Sequence, residues 1–191
     1  MTRLDVRAAE EADVAPLNAI YNDYVENTAV TFDIRPSTLE QRRVWFRQFS
    51  GTGRHRLWVA CHDEARVGYA CSHAFRTKGA YETTVETTIY VAPGCTGQGV
   101  GSALYTALFA ALAGEDVHRA YAGITKPNEA SEALHRRFDF HPIGTFDEVG
   151  RKLGRYWSVG WWEKCLRAPT VSDQRGAKSA APIQELRPSA T

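Results

Sequence analysis

The chain has 191 residues, 43% hydrophobic and 24% charged, and 23 basic side chains nearly balance 22 acidic ones for a net charge of +1. That length suits one domain with a sizeable core, and the even balance leaves no electrostatic footprint for a nucleic acid or a membrane surface. No apolar run approaches the roughly 20 residues that span a bilayer, and Met1-Thr2-Arg3-Leu4-Asp5 carries charge where a signal peptide is apolar, so a cytoplasmic location with no membrane partner is expected. Leu4, Val6 and Ala8 alternate with polar residues and predict a short half-buried strand, after which Val14, Leu17, Ile20, Tyr21 and Tyr24 recur at helical spacing. Ser37-x-x-Glu40 and Thr38-x-x-Gln41 are overlapping capping boxes behind Pro36. They predict a second helix with Val44, Trp45 and Phe49 on its apolar side. Thr28 to Phe32, between these two, is too short for a helix. Leu57–Cys61 and Val67–Phe75 predict a hairpin turning at His62–Ala65, and Thr83–Val91 predicts another strand. A helix then runs to about Ala113, closed by Gly114. Ala120–Ile124 predicts a strand, Pro127 and Asn128 open a helix reaching Phe138, and Asn128 is its N-cap. His141–Val149 and Tyr156–Cys165 predict the last strands, around a loop at Gly150–Gly154.

The order β-α-α-β-β-β-α-β-α-β-β predicts an α/β fold over residues 1–166, a mixed sheet with helices on both faces. Residues 167–191 lack aromatics and are rich in Pro, Ser, Ala and Gln, so a disordered tail is expected there. Cys61, Cys71, Cys95 and Cys165 form no CxxC pair and have no His at zinc-ligand spacing. They read as reduced thiols, with no metal site.

The most informative segment is Val91-Ala92-Pro93-Gly94-Cys95-Thr96-Gly97-Gln98-Gly99-Val100-Gly101-Ser102. A strand enters it and an amphipathic helix leaves it, so unpaired N–H groups and the positive end of the helix dipole make an anion site suited to a pyrophosphate. A P-loop would need Lys and then Ser or Thr after its last glycine; here Gly101 is followed by Ser102-Ala103. A dinucleotide fingerprint would need a third glycine where Ser102 stands, and an acidic residue after the next strand, where Ile124-Thr125-Lys126 is found.

Thr96-Gly97-Gln98-Gly99-Val100-Gly101 resembles the Q/R-x-x-G-x-G/A loop of the GNAT acetyltransferases, with Thr96 in place of the usual Gln or Arg. Lys126-Pro127-Asn128 and the helix after it follow at the right distance. Most of residues 1–166 is similar to the phosphinothricin N-acetyltransferase branch of that family. The matching pieces are Ile20-Tyr21-Asn22, Asn27-Thr28, Phe32, Ala80-Tyr81, Val85-Glu86-Thr87-Thr88-Ile89-Tyr90-Val91, Gly101-Ser102-Ala103-Leu104-Tyr105, Pro127-Asn128, His135, and the tryptophans around Trp157 and Trp161. The resemblance implies a GNAT fold with a central sheet of about seven strands. It implies acetyl-CoA as donor, the α-amino group of a small amino acid as acceptor, and a homodimer.

Acetyl transfer to an amine needs a base for the ammonium, donors for the carbonyl oxyanion and an exit for the thiolate. Glu86 lies mid-strand on the face of Thr84, Thr88 and Tyr90, where partial desolvation would raise its pKa. The resemblance makes it the general base. It also places His135 near the thioester in a secondary acid/base or positioning role, with Tyr90 a further possible proton donor. By the same resemblance Ile89, Tyr90 and Val91 would meet the pantetheine arm and the oxyanion. Gly97, Gln98, Gly99, Val100, Gly101 and Ser102 would hold the diphosphate, and Asn128 a pantetheine amide. Arg76 and Lys78 would hold the acceptor's acidic group, in reverse of the family's usual Lys-then-Arg order, and Phe32, Tyr81 and Thr88 would line its pocket. Trp157, Trp161 and Trp162 read as core or dimer contacts. A GNAT for another amine and a catalytically idle CoA-binding module are the alternatives.

Overall fold

The computed structural model describes residues 3–167; apart from Arg167, the expected tail lies outside them. The order is β1 (Leu4–Ala8), α1 (Val14–Asn27), α2 (Leu39–Phe46), β2 (Arg56–His62), β3 (Ala65–Ala74), β4 (Thr84–Val91), α3 (Val100–Leu112), β5 (Arg119–Thr125), α4 (Glu129–Arg137), β6 (His141–Lys152) and β7 (Arg155–Cys165), with short 3-10 turns at Glu11–Asp13 and Gly79–Tyr81. The seven strands form one sheet in the order β1-β2-β3-β4-β5-β7-β6. Every neighbouring pair is antiparallel except β4–β5.

Strand alternation sorts the core into two layers. On one face Leu57, Val59, Cys61, Tyr69, Cys71 and Tyr90 pack against Leu17 and Ile20 of α1, with Trp45 and Phe46 of α2 at the margin. On the other, Ala60, Ala70, Val85, Ala120 and Ala122 receive Val100, Leu104, Tyr105, Leu108 and Leu112 of α3, and Leu134 and Phe138 close that layer from the α4 side. Each fully buried leucine of α3 contributes roughly 1.5–3 kcal/mol by leaving water.

Of the two overlapping capping boxes, Thr38 is the one formed. Its hydroxyl accepts from Gln41 N at 3.2 Å, and its own N–H donates to Gln41 Oε1 at 2.8 Å. Ser37 is tied to α1 instead, its N–H donating to Asn22 Oδ1 at 2.8 Å. Asn128 caps α4, accepting from Ser131 N at 3.1 Å.

Three local expectations are corrected. Val44 is 57% exposed and Phe49 lies past the end of α2, whereas Arg42 is the helix's buried residue, at 4%. The apolar stripe is broken because Trp45 lies over the guanidinium. Gly150–Gly154 is not a loop: β6 continues to Lys152, and a two-residue turn at Leu153 and Gly154, both with positive φ, reverses the chain, as twisted hairpins favour. α3 is capped by Ala113 in right-handed geometry, and Gly114 lacks the positive φ of a glycine that closes a helix.

Candidate active site

β4 and β5 pair only at Thr84↔Arg119, Val85↔Ala120 and Glu86↔Tyr121. Beyond Glu86 they part, with Thr87 Oγ1 donating to Tyr121 O at 3.2 Å as the last link. Ala92 N donates to Val67 O at 2.8 Å and so sets which β4 groups face β3. Because N–H groups alternate sides along a strand, Thr88 and Tyr90 donate to β3, while Ile89 and Val91 turn their amides to the gap. Tyr24 Oη donates to Val91 O at 2.7 Å, which leaves the Ile89 and Val91 N–H groups as the donors along the opening. Tyr90 therefore turns its N–H to β3, away from the gap that its expected backbone role would need.

The gap runs into a groove of about 450 Å³ between the glycine loop and α4, bordered by Val91, Thr96, Gly97, Gly99, Ser102 and Asn128 among others. Gly97 (φ +76°) and Gly99 (φ +82°) hold left-handed conformations that a side chain would strain. Ala103 N donates to Gly99 O at 3.0 Å as the first helical bond. The N–H groups of Val100, Gly101 and Ser102 thus lack helical acceptors, and Gly101 and Ser102 border the groove at the positive helix end. The Gln98 side-chain amide donates to Gly94 O at 2.8 Å and braces the loop. Arg137 Nη1 donates to Ser102 Oγ at 3.2 Å and adds a cation at the helix start. Gly101 allows α3 to approach α4, since a Cβ there would stand 3.1 Å from Leu134 Cδ2.

Beside the groove a cavity of about 270 Å³ is walled by Phe32, Glu86, Thr88, Tyr105, Asn128 and His135 among others. Glu86 is half-buried and pairs in register with His73. Burial pushes its pKa up, and the charges of His73 and Arg76 pull the other way. His135 is 2% exposed and held at both ring nitrogens, with Tyr105 Oη at 2.9 Å from Nε2 and Ser131 O at 2.7 Å from Nδ1. Burial lowers its pKa, so the ring is neutral near pH 7. The hydroxyl of Tyr90 is buried and its pKa raised by that burial.

Phe32 and Thr88 thus stand with Glu86, and Thr88 also accepts or donates at 3.2 Å from His73 Nε2. Lys78 and Tyr81 do not join that wall. Both are exposed, and Tyr81 sits edge-on to Phe75 with centroids 5.9 Å apart. Arg76 lies over the Phe75 ring at 4.3 Å and influences Glu86 through its charge. Arg137 and Arg42 escaped the sequence reading, and Tyr105 was matched there without a role. Tyr105 fits an ordinary α3 core position, and nothing local signals that a helical arginine will meet a loop or an aromatic cluster far away in the chain.

Residues 17–140 match the acetyltransferase (GNAT) family. The chain is 54% identical over 165 residues to a phosphinothricin N-acetyltransferase of Streptomyces coelicolor, covering 85% of this chain and 96% of that one. It is 35% identical over 152 residues to an L-methionine sulfoximine/L-methionine sulfone acetyltransferase of Pseudomonas aeruginosa, covering 79% and 88%. A phosphinothricin acetyltransferase from Sinorhizobium meliloti, solved with acetyl-CoA, superposes with a TM-score of 0.82 at 30% identity over 90% of this chain and 95% of that one. A seven-stranded sheet parting after one parallel pair, a helix that begins on a left-handed glycine, and relatives matched over nearly their whole length agree, and the chain belongs to the GNAT family of acetyltransferases.

Proposed function

We propose that this enzyme moves the acetyl group of acetyl-CoA to the α-amino group of a small amino acid such as phosphinothricin, methionine sulfoximine or methionine sulfone, with Glu86 as general base. The observation that carries the reading is a half-buried carboxylate of raised pKa at the place where β4 and β5 separate. The names of the relatives support the acceptor class. The diphosphate lies on the N–H groups of Val100, Gly101 and Ser102, and the pantetheine arm runs along the gap past Ile89, Val91 and Asn128. The ammonium proton passes to Glu86, directly or through one water, and the freed nitrogen attacks the thioester carbon. The oxyanion that forms is met by the Val91 or Ile89 N–H. Collapse breaks the C–S bond, and the departing thiolate takes up the second proton that the attacking nitrogen sheds as the amide forms. His135 serves as a positioning residue that aims the Tyr105 hydroxyl along the cavity wall.

Thiol release from acetyl-CoA, followed by absorbance across a panel of amino acids and other amines, tests the reading. Turnover with small α-amino acids supports it. Turnover confined to other amines, or CoA binding without any turnover, replaces it with one of the alternatives. Gly99→Ala should raise the KM for acetyl-CoA about five- to thirty-fold, since forcing a side chain into the left-handed region costs roughly 1–2 kcal/mol. Steady-state kinetics with varied acetyl-CoA would check this.

Use of acetyl-CoA supports a cytoplasmic setting, and no helix among the described residues is long and apolar enough to cross a membrane. A homodimer is supported by the β6–β7 hairpin, where Ile143, Phe146, Val149, Leu153 and Tyr156 are all exposed. Sedimentation should give twice the chain mass, and Phe146→Glu should shift it toward the monomer. A monomeric wild type would refute the assembly.

A further inference from the structure

A second cavity, of about 630 Å³, opens on the α1–α2 side of the sheet. Its floor is the paired faces of β3 and β4, with Tyr69 opposite Tyr90 and Cys71 opposite Thr88; His73 lines its far end, and Glu86, paired with His73, belongs to the adjoining cavity. Thr88 and Tyr90 line both this cavity and the one containing Glu86, so the two spaces adjoin. Over the Tyr69 end stands Arg42. Its guanidinium carbon is 3.4 Å from the Trp45 ring centre, 4.9 Å from that of Tyr21 and 5.1 Å from that of Tyr69.

Arg42 is 4% exposed, and its Nε and Nη2 have no hydrogen-bond partner. Among the described residues no carboxylate comes within the 4.0 Å of an ion pair with it. Asp33, which borders the same cavity, accepts instead from the Tyr21 hydroxyl. A buried cation stacked on aromatic rings recovers part of its lost hydration, but an unanswered guanidinium edge still costs free energy. Nε and Nη2 form one edge of the fork that grips a carboxylate or phosphinate through two parallel bonds. The charge is felt across the floor, where it opposes the effect of burial on Tyr69, Cys71 and Tyr90.

We infer that Arg42 is the specificity-determining residue for the acceptor, holding an oxoanion of the amino acid at the Tyr69 end of the floor while its amine lies toward Glu86. This rests on the acceptor class proposed above. It moves anion recognition from the exposed Arg76 and Lys78 to a cation already caged in aromatic rings. Pairing with the ligand answers the charge that the protein leaves open, and small shifts of the cage admit it to the covered edge. The α-carboxylate and a side-chain phosphinate share the required chemistry.

The test uses the full chain with phosphinothricin, its α-carboxamide and L-norleucine, which lacks the phosphinate. Arg42→Met should raise the acceptor KM at least tenfold and leave the acetyl-CoA KM unchanged. In the wild type, the probe lacking the group that Arg42 reads should show the same loss, and in Arg42→Met that probe should no longer differ from phosphinothricin. Loss with the amide assigns the carboxylate, and loss with norleucine assigns the phosphinate. Unchanged acceptor KM and discrimination in Arg42→Met, or equal damage to both substrates, would overturn the assignment. Should Arg42→Met fail to fold, Arg42→Lys decides on the same readouts, because it keeps the charge and loses the fork. If the wild type acetylates no acceptor, calorimetric titration with phosphinothricin still reports binding. A phosphinothricin titration seen in wild type and lost in the variant supports the site independently of transfer, and no titration in the wild type refutes it.

Discussion

Glu86→Gln is expected to lower kcat by about 100- to 10,000-fold, the usual contribution of a positioned general base, while the affinity for acetyl-CoA stays near wild type. Glutamine keeps the shape and removes only the proton acceptor. The pH profile supplies a second readout. Burial raises the Glu86 pKa, and the base works when ionised, so kcat/KM should fall as pH drops through that raised value. In the variant this limb should be gone. Stability should not suffer, because a carboxyl with a raised folded-state pKa weakens the fold once it is ionised, and the amide removes that cost. Calorimetric titration with CoA beside steady-state kinetics separates the outcomes. If binding and turnover fell together, Glu86 would be holding the strand rather than moving a proton.

Asp13→Ala should be the most damaging single change to the fold, at about 3–5 kcal/mol. The Asp13 carboxylate has no exposed surface and accepts from Arg7 Nη1 at 2.7 Å, Arg7 Nη2 at 2.9 Å, Arg66 Nε at 2.8 Å and the Glu10 N–H at 2.8 Å. It ties β1 and β3 to the start of α1, and its removal leaves two guanidinium groups without an anion. At about 2–4 °C per kcal/mol for a chain of this size, the melting temperature should drop by about 6–20 °C. These donors hold the Asp13 pKa down at about 2, against an ordinary 3.8. A depressed carboxyl stabilises the fold above its unfolded-state value, and this is lost as pH falls from about 3.8 toward 2. The loss amounts to about 2 kcal/mol. Thermal melts from pH 6 down to pH 2 should show that step in the wild type and lack it in Asp13→Asn. An unchanged acid limb in the variant would mean that other carboxylates govern acid unfolding.

How far the sequence could be read depended on the range of the interaction. The alternation through Thr84–Val91, the Thr38–Gln41 capping box and the Asn128 cap are all visible within a few residues, and each formed where expected. The helix start at Val100 was equally plain, because glycines that tolerate a positive φ must stand beside it. Glu86 stood out only through the family resemblance, since a carboxylate mid-strand otherwise reads as a solvent-facing side chain. His135 was legible by position, but not the two hydrogen bonds that occupy its ring, since Tyr105 lies 30 residues away in the chain.

By itself the sequence determined the order of the strands and helices and marked with glycines the helix start where an anion site is expected, because periodicity, capping and glycine geometry act locally. Only the tertiary structure decided that Ile89 and Val91 rather than Tyr90 face the gap, since this follows from which groups β3 takes up. It alone joined Asp13 to an arginine 53 residues away. It alone put Arg42 inside an aromatic cage, where a helical pattern would have placed an apolar residue. Charges find partners through space, and whether a buried cation is answered by the protein or left for a ligand is settled only when distant segments pack.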